Sequence, residues 1–399
     1  MYMDKLSVDF SLKQHTPIIH FQHDQPGATL RATEVKPKLD RYIWERYWEN
    51  DFERGKFFLV GYSPSKDKEL QKRFKEEQYC ALDYKMAFQA HEVSLTKIPE
   101  KMPLYFGNMG SDGVEKKDKH FVFAKAGVSG SVRCMNIEFL DIVQQCLPDF
   151  FLSQNFGTRQ NKGFGSFQVT QPHDKPIKAK NPSKYFFSVR GSDLQNLWIH
   201  IDLFYRTLRS GINLKGGGGV DKLYFKSLLF HYALTQKQQW DKRKIRLDLF
   251  RNHPRFVDRD RVDGEKGIPM LYRDMLGLSS TQSWLSYNKA TVNKTSQSGA
   301  IDRFKSPITF KPIRDGNDWK VYIIPHKIPA EMKSAPFVIE SGSQKTVLAT
   351  PEFDLEQYLK FAFSFFQEQS VEDYVGEHLA TREVKILENI YHQLTNQSQ

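Results

Sequence analysis

The strongest constraint on the fold is an amphipathic segment that runs directly into a glycine-rich loop. Across residues 137–152 the apolar positions recur every three or four residues, which is the period of one helix face. Asn136 is a suitable N-cap for this helix, and Pro148 is expected to kink or shorten it. Residues 155–166, NFGTRQNKGFGS, then lead into the strand-like residues 167–170. The region therefore predicts a helix, a glycine loop and a strand in direct succession.

The remaining segments predict an α+β chain. A half-buried strand at residues 6–12 precedes a helix with an apolar stripe, and strand-like segments follow before the amphipathic helix. The order strand, helix, strands, helix, strand is compatible with a ferredoxin-like domain. Residues 171–184 are rich in proline and lysine and are predicted to be a linker. We therefore expect an N-terminal ferredoxin-like domain over residues 1–175, which contains the glycine-rich loop 157–166, and a C-terminal ferredoxin-like domain with helical insertions over residues 176–399.

Three further predictions concern local structure. The charged residues 66–77 are predicted to form an exposed helix. Residues 286–299 are polar and aperiodic, which predicts a loop. Residues 307–313 and 319–324 alternate as a hairpin pair around the turn residues 315–317.

Charge and cysteine content narrow the classes of function. The chain has 58 lysine and arginine residues against 47 acidic residues, a net charge of +11, which attracts polyanions such as nucleic acid. The three cysteines, Cys80, Cys134 and Cys146, lie too far apart for a zinc motif or a disulfide framework and suit a reducing cytoplasm. No apolar run approaches the length of a membrane span, and the N-terminus does not resemble a signal peptide. We therefore expect a cytoplasmic protein without a membrane partner.

The glycine loop has two interpretations from its own chemistry. Its glycines permit positive φ angles and close approach of main-chain N–H groups to an anion, while Arg159 and Lys162 can neutralise phosphates. Phe164 can either stack on a base or anchor the loop in the core. The alternative is a turn from helix to strand with incidental charges. Local chemistry supports the two interpretations about equally.

A family resemblance favours the first interpretation. The pattern Gly-x-Arg-x-x-Lys-Gly-Phe-Gly-Ser at residues 157–166 resembles the glycine-rich loop of RAMP proteins, the subunits of CRISPR effector complexes. Among them it is most similar to the first subunit of the Cmr (type III-B) complex. Thr16-Pro17 and residues 30–41, LRATEVKPKLDR, resemble that family's entry to its first helix, although the usual Gly-Gly pair after Thr-Pro is absent. Residues 302–314, DRFKSPITFKPIR, are similar to its "Arg-x-x-Ser-Pro-Leu" strand.

The resemblance implies a fold, a partner and a site. It implies two ferredoxin-like, RRM-like domains, and an RNA-binding protein whose partners are guide or target RNA and other CRISPR effector subunits. The basic face of the first helix is expected to continue the track of the loop along the RNA backbone. Residues 237–261, with nine lysines or arginines against four aspartates, add electrostatic attraction. The implied RNA-binding residues are Arg159, Lys162, Gly163, Phe164, Gly165, Lys36, Lys38 and Arg41.

Catalysis is the less favoured prediction. His15, His20, His23 and Asp24 cluster near the N-terminus, but in a predicted loop their spacing favours ordinary histidines over a metal site. RAMP endonucleases often use a histidine as a general base without metal, so His20 and His23 are the catalytic residues that this alternative implies. We expect no metal and no cofactor, and no nucleotide-binding or hydrolase motif is present. The primary hypothesis is a non-catalytic RNA-binding subunit, and the alternatives are a metal-independent endoribonuclease that processes CRISPR RNA and a scaffold with incidental charge.

Overall fold

The chain divides into two compact units, each of which is formed by three separate segments of the sequence. The computed structural model of the protein describes residues 6–19, 29–77, 80–99, 120–171, 177–216, 221–258 and 267–398. Unit 1 comprises Met1–Lys184, Val189–Trp198 and Phe310–Tyr322, and unit 2 comprises Tyr185–Ser188, Ile199–Thr309 and Ile323–Gln399. The mixture of helices and strands confirms the predicted α+β class. The domain boundary after residue 175 stays a prediction.

Helices and strands alternate irregularly along the described residues. In chain order, the helices are α1, Ala32–Arg46; α2, Phe52–Gly55; α3, Asp67–Glu77; α4, Ile137–Ser153; α5, Leu194–Arg209; α6, Leu228–Thr235; α7, Asp241–Phe250; α8, Tyr272–Met275; α9, Leu355–Ser364; α10, Val371–Val375; and α11, Thr381–Ser398. The strands are β1, Ser7–Gln14; β2, Lys85–Ala90; β3, Val93–Lys97; β4, His120–Ala124; β5, Val128–Arg133; β6, Phe167–Thr170; β7, Phe186–Val189; β8, Ile212–Lys215; β9, Asp221–Phe225; β10, Gln239–Trp240; β11, Pro269–Met270; β12, Thr281–Trp284; β13, Ala290–Ser296; β14, Ile308–Asp315; β15, Asp318–Pro325; β16, Pro336–Ser341; and β17, Gln344–Ala349.

The principal sheet of unit 1 has the strand order β2-β5-β1-β6. All three pairings are antiparallel, and β1 pairs with β5 from Ser7 opposite Arg133 to Leu12 opposite Val128. Helix α1 follows β1 along the chain, and α4 connects β5 to β6. Alternate residues of β1, including Phe10 and Leu12, belong to the core, so the intervening residues form the opposite face of the sheet.

Helix α4 forms as the sequence predicts, with one difference. The side chain of Asn136 caps it by accepting the N–H of Phe139 at 3.0 Å. The helix does not stop at Pro148 but continues to Ser153. A proline inside a helix costs about 3 kcal/mol. Phe150 and Phe151 beyond it are both fully buried, and each contributes roughly 1.5–3 kcal/mol by leaving water, which is enough to offset that cost.

Two local predictions for the second half of the chain have opposite outcomes. The predicted hairpin is confirmed: β14 and β15 are neighbours in a sheet of order β14-β15-β7, and Gly316 has φ +58° at the turn. The predicted loop at residues 286–299 is wrong, because β13 lies within it and pairs with β12 and β16. These strands belong to a sheet of order β10-β11-β17-β16-β13-β12.

The strand β13 is hard to recognise because polar residues occupy two of its three buried positions. Val292, Lys294 and Ser296 are buried and alternate with exposed threonine and asparagine residues. The ammonium of Lys294 contacts the carboxylate of Asp274 at 2.5 Å, and neither side chain has exposed surface. The contact between these two charges allows a lysine to occupy a core position, which hides the apolar alternation that identifies most strands.

Candidate nucleic-acid interface

The glycine loop lies in unit 1 against residues 16–19, which follow β1. Gly157, Gly163 and Gly165 have φ angles of +81°, +88° and +65°, a region that favours glycine. A Cβ atom on Gly165 would lie 1.9 Å from the carbonyl oxygen of Phe156, which no real structure tolerates. The glycines therefore allow two stretches of main chain to approach each other closely.

Several main-chain N–H groups of the loop point into the protein. The sequence suggested that they would face an anion, but many of them donate to acceptors inside the protein. Each of these donors already has an acceptor inside the protein and is not available to hold a phosphate. The internal bonds run from Phe156 to the Gly165 carbonyl at 3.0 Å, from Thr158 to the Ile19 carbonyl at 2.9 Å, from Gly165 to the Pro17 carbonyl at 2.9 Å, and from Ser166 to the Thr16 hydroxyl at 3.0 Å.

Three consecutive residues of β14, Phe310, Lys311 and Pro312, hold the two ends of the loop, and we call them the clasp. The ammonium of Lys311 donates to the carbonyl oxygens of Gln154 and Phe167, each at 2.8 Å. Gln154 caps the end of α4, and Phe167 is the first residue of β6. One buried side chain therefore joins the residue before the loop to the residue after it.

Main-chain atoms of the clasp make further contacts with the loop. Asn155 Nδ2 donates to the Phe310 carbonyl at 2.8 Å, and the hydroxyl of Ser166 donates to the Pro312 carbonyl at 2.7 Å. The N–H of Phe310 donates to the Asn161 carbonyl at 3.1 Å. These bonds add to those of Lys311, so the loop is fixed at its two ends and along its length.

Arg159 and Lys162 are the basic residues of the loop, and both are half-buried. Arg159 has φ +57°, a left-handed conformation that costs a residue with a side chain roughly 1–2 kcal/mol. Partial burial lowers the pKa of its guanidinium to about 10, so it stays charged at neutral pH. Other non-glycine residues, including Lys237 and Lys289, share this backbone conformation, so it is the place of Arg159 in the glycine loop, near Lys162, that makes it a candidate for ligand contact.

The position of Phe164 decides between the two predicted roles of its ring, stacking on a base and anchoring the loop in the core. It is fully buried, and its ring lies 4.3 Å from that of Trp198 and 5.7 Å from that of Phe121. A ring without exposed surface does not stack on a base, so Phe164 anchors the loop in the core of unit 1. The inclusion of Phe164 among the expected RNA contacts is corrected on this ground.

The basic face of α1 is largely engaged within the protein. Lys36 contacts the Asp40 carboxylate at 2.9 Å and the Leu82 carbonyl at 2.8 Å. Lys38 contacts the Glu34 carboxylate at 3.0 Å and donates to the carbonyl of Asn155 and the side chain of Gln160 at the glycine loop. Both lysines thus support the fold. Arg41, the third expected contact, has an exposed side chain.

Of the three histidines clustered near the N-terminus, His15 lies within the described residues. His20 and His23 lie outside the described residues. His15 is buried, its Nδ1 accepts the N–H of Arg314 at 3.0 Å, and its Nε2 contacts Gln168 at 3.2 Å. Burial and the nearby Lys311 cation lower the pKa of His15 to about 3, so it is neutral and structural. Over the described ranges, no group of histidine, cysteine and acidic residues is arranged to hold a metal ion.

The basic stretch at residues 237–261, in unit 2, is partly neutralised by its own acids. Arg243 pairs with Asp258 through two bonds of 3.0 Å, and Lys244 contacts Asp248 at 2.9 Å. Trp240 and Phe250 are buried. This stretch therefore contributes net charge to the surface. The rings of Trp240 and Phe250 do not provide a surface on which bases could stack.

The role of the clasp could not be recognised from the sequence. Lys311 lies inside the third motif that carried the family resemblance, but a lysine in a strand gives no sign that it is buried. The signal that was present is the co-occurrence of three motifs. Thr16, Lys38 and the clasp come from those separate motifs, and each contacts the glycine loop or the residues that flank it.

Two family models together cover most of the chain. The Cmr1 N-terminal domain matches residues 5–212, and the Cmr1 C-terminal domain matches residues 224–385. These matches define a Cmr subunit of the type III-B class and confirm the resemblance on which the sequence motifs depend. The chain belongs to the Cmr1 family.

Solved structures of similar proteins are distant. The crystal structure of apo Cmr1 from Pyrococcus furiosus is 10% identical and covers 82% of this chain and 91% of that chain, with a TM-score of 0.36. A cryo-EM structure of type III-B Cmr-beta bound to cognate target RNA is 11% identical and covers 97% of this chain and 99% of that chain, with a TM-score of 0.35. Superposition at this level carries no argument about the site.

No curated protein matches the chain. Within the described ranges, the helices are too short or too polar to span a bilayer.

Proposed function

We propose that this chain is a non-catalytic, RNA-binding subunit of a CRISPR-type effector complex, and that it contacts the backbone of guide or target RNA. The observation that carries the proposal is that Arg159 and Lys162 share a glycine loop fixed by hydrogen bonds on several sides. Fixing two cations in a loop lowers the entropy lost when they bind a polyanion. Arg159, Lys162 and Arg41 are the proposed phosphate contacts, with Gly163 and Gly165 shaping the loop.

The topology of unit 1 supports a ferredoxin-like domain. Its sheet order is β2-β5-β1-β6, and the elements β1, α1, β2, β5, α4 and β6 follow one another as two strand–helix–strand halves. The hairpin of β3 and β4 is inserted between β2 and β5. An antiparallel four-stranded sheet with this connection is the ferredoxin-like arrangement. The second ferredoxin-like domain stays a prediction.

The outer face of this sheet argues for backbone contact over base stacking. RRM-type domains stack bases on aromatic residues of the open sheet face. The alternation in β1, β2 and β5 directs polar and small residues outward, and no aromatic residue of these three strands lies on that face. Those outward residues are Ser7, Asp9, Ser11, Lys13, Lys85, Ala87, Gln89, Ser129, Ser131 and Arg133.

Family membership supplies the proposed partners. The Cmr-beta structure with which the chain was compared is a complex bound to cognate target RNA. Because this chain belongs to the Cmr1 family, we extend RNA and other Cmr subunits to it as partners. A cytoplasmic location agrees with such an assembly.

The decisive experiment replaces Arg159 with glycine. Arg159→Gly removes the guanidinium and also relieves the left-handed strain, so stability should be unchanged or higher. We expect the affinity for single-stranded RNA to fall about tenfold, equivalent to about 1.4 kcal/mol. Affinity is measured by fluorescence anisotropy and stability by thermal unfolding.

The matched control is Lys289→Gly in unit 2. Lys289 is also basic and left-handed, with φ +60°, but it is exposed where Arg159 is half-buried, and it lies outside the proposed site. Lys289→Gly should bind RNA as the wild type does. Equal affinities of the two variants would place RNA binding elsewhere or reduce it to overall charge.

The alternative, a metal-independent endoribonuclease with His20 or His23 as general base, has no observation in its favour among the described residues. Incubation of the pure protein with CRISPR repeat RNA in the presence of a chelator tests it. Discrete fragments that disappear in a His20→Ala, His23→Ala variant would establish the nuclease and contradict the non-catalytic proposal.

A further inference from the structure

Lys311 is a buried residue that does not touch the proposed RNA surface. Its side chain has no exposed surface. Both hydrogen bonds recorded for its ammonium end on main-chain carbonyl oxygens, those of Gln154 and Phe167. Lys294, the fully buried lysine of β13, differs in having a carboxylate partner, that of Asp274.

Packing alone does not account for a lysine at this position. Burying an ammonium carries a large desolvation penalty, which two carbonyl dipoles offset less fully than a carboxylate does. Burial accordingly lowers the pKa of Lys311 well below its usual range. Methionine has a similar length and avoids this penalty, but it leaves the carbonyl oxygens of Gln154 and Phe167 without the ammonium donor. These two hydrogen bonds are therefore what a lysine supplies at this position and a methionine does not.

The position of those two bonds indicates the purpose. Gln154 and Phe167 are the residues on either side of the glycine loop, so the ammonium fixes the distance between the loop ends. A displacement at Gln154 reaches the tip of the loop through Asn155, the next residue. Asn155 Nδ2 donates to the Gln160 carbonyl at 2.7 Å, next to Arg159.

We propose that Lys311 is a positioning residue for RNA binding: by joining Gln154 to Phe167 it sets the geometry in which Arg159 and Lys162 meet the RNA backbone. The inference rests on the proposed function, because it assigns a role at the same loop. Lys311 acts through the loop and does not contact RNA.

The test is Lys311→Met in the full chain, with two measurements. The first is affinity for single-stranded RNA, which should fall about tenfold. The second is amide hydrogen exchange, which should become faster in peptides from residues 155–166 and stay unchanged in peptides from unit 2. Faster exchange confined to the loop, together with the loss of affinity, is a result that a loss of global stability does not produce.

The matched control is the double variant Lys294→Met, Asp274→Asn. It also replaces a fully buried lysine with methionine, but in unit 2. Its stability is expected to fall, while RNA affinity and exchange in the loop stay at wild-type values. If the control loses affinity as Lys311→Met does, the effect is one of general stability and the inference is overturned.

A second variant keeps the inference testable if Lys311→Met does not fold. Ser166→Ala removes the hydrogen bond to Pro312 in the same clasp and loses only one hydroxyl. It should give a smaller loss of affinity with the same local increase in exchange. Wild-type affinity in whichever of the two variants folds, or unchanged exchange in the loop, overturns the inference.

Failure of the inference and failure of the proposed function are distinguishable. If Arg159→Gly weakens binding while Lys311→Met binds normally, the loop is the RNA site and Lys311 does not position it. If Arg159→Gly binds normally, the loop is not the site, and the proposed function and the inference fail together.

Discussion

The indole of Trp198 stacks on the ring of Phe164, with ring centroids 4.3 Å apart and planes inclined by 16°. Both side chains are buried within unit 1. Phe164 belongs to the glycine loop, whereas Trp198 lies in α5, more than thirty residues later. The pair attaches the loop to the hydrophobic core near the C-terminal end of the loop, two residues before Ser166.

Replacing Phe164 should therefore damage stability before it damages binding. Phe164→Ala is expected to lower the free energy of unfolding by about 3–5 kcal/mol, since it leaves a cavity beside Trp198. Urea unfolding followed by tryptophan fluorescence measures it. Phe57→Ala is the control, because that ring is 63% exposed and its removal should change stability by less than about 0.5 kcal/mol. Similar losses in both variants would show that Phe164 is not a core anchor.

A comparison of Gly165 with Gly61 distinguishes two costs of adding a side chain, that of the left-handed backbone conformation and that of a steric collision. Both have φ near +65°, but a Cβ atom on Gly61 meets nothing within 4 Å, whereas on Gly165 it collides with the Phe156 carbonyl. Gly61→Ala should cost about 1–2 kcal/mol, the penalty for a left-handed alanine. Gly165→Ala should cost clearly more and should also abolish RNA binding. Thermal unfolding and anisotropy of the two variants decide, and equal costs would contradict the close approach.

His15 should make the protein sensitive to acid. Its pKa is lowered from 6.5 to about 3 in the folded state, so below pH 6.5 the unfolded chain binds a proton that the folded chain does not. Stability should then fall by up to about 1.4 kcal/mol for each pH unit between 6 and 4. His15→Gln lacks this dependence, so the difference in unfolding free energy between it and the wild type should shrink in that window. Above pH 7.5 the difference should be constant; a difference that does not change with pH would show that His15 titrates normally.

The salt dependence of RNA affinity should report how many lysine and arginine side chains neutralise phosphates of the RNA. Each phosphate neutralised on a single strand contributes about −0.7 to the logarithmic slope. Arg159, Lys162 and Arg41 predict a slope of about −2, whereas adding Lys36 and Lys38 predicts about −3.5. We expect the smaller value, because those two lysines already contact carboxylates. A slope near −3.5 would mean that they exchange these partners for phosphate, and a flat response would contradict backbone binding.

Sequence patterns predicted what depends on local periodicity. Helix α4, its Asn136 cap and the β14–β15 hairpin all follow from residues close together in the chain, and the structure confirms them. The motif resemblance identified the family because three separated segments occurred in the same order as in RAMP proteins. Neither source of information contains distances between those segments.

The features that escaped prediction depend on distant contacts. The sequence shows a basic helix face, but only the fold shows that Lys38 turns toward the glycine loop and that Lys36 pairs with a buried aspartate. The sequence does not distinguish the buried lysine in β13 from an exposed one. The sequence of that strand therefore resembles that of a loop. Phe164 could equally face a base or the core until Trp198, which no local pattern connects to it, was located beside it.

The clasp also has a consequence for how the protein is made. The loop is translated with β6, but it cannot be closed until the ribosome has added roughly 140 further residues and released Pro312. At about 5–20 residues per second this delay is on the order of 10 s. During that interval the nascent chain carries the loop without its clasp. The newly made N-terminal region should therefore not bind RNA before synthesis of the whole chain is nearly finished.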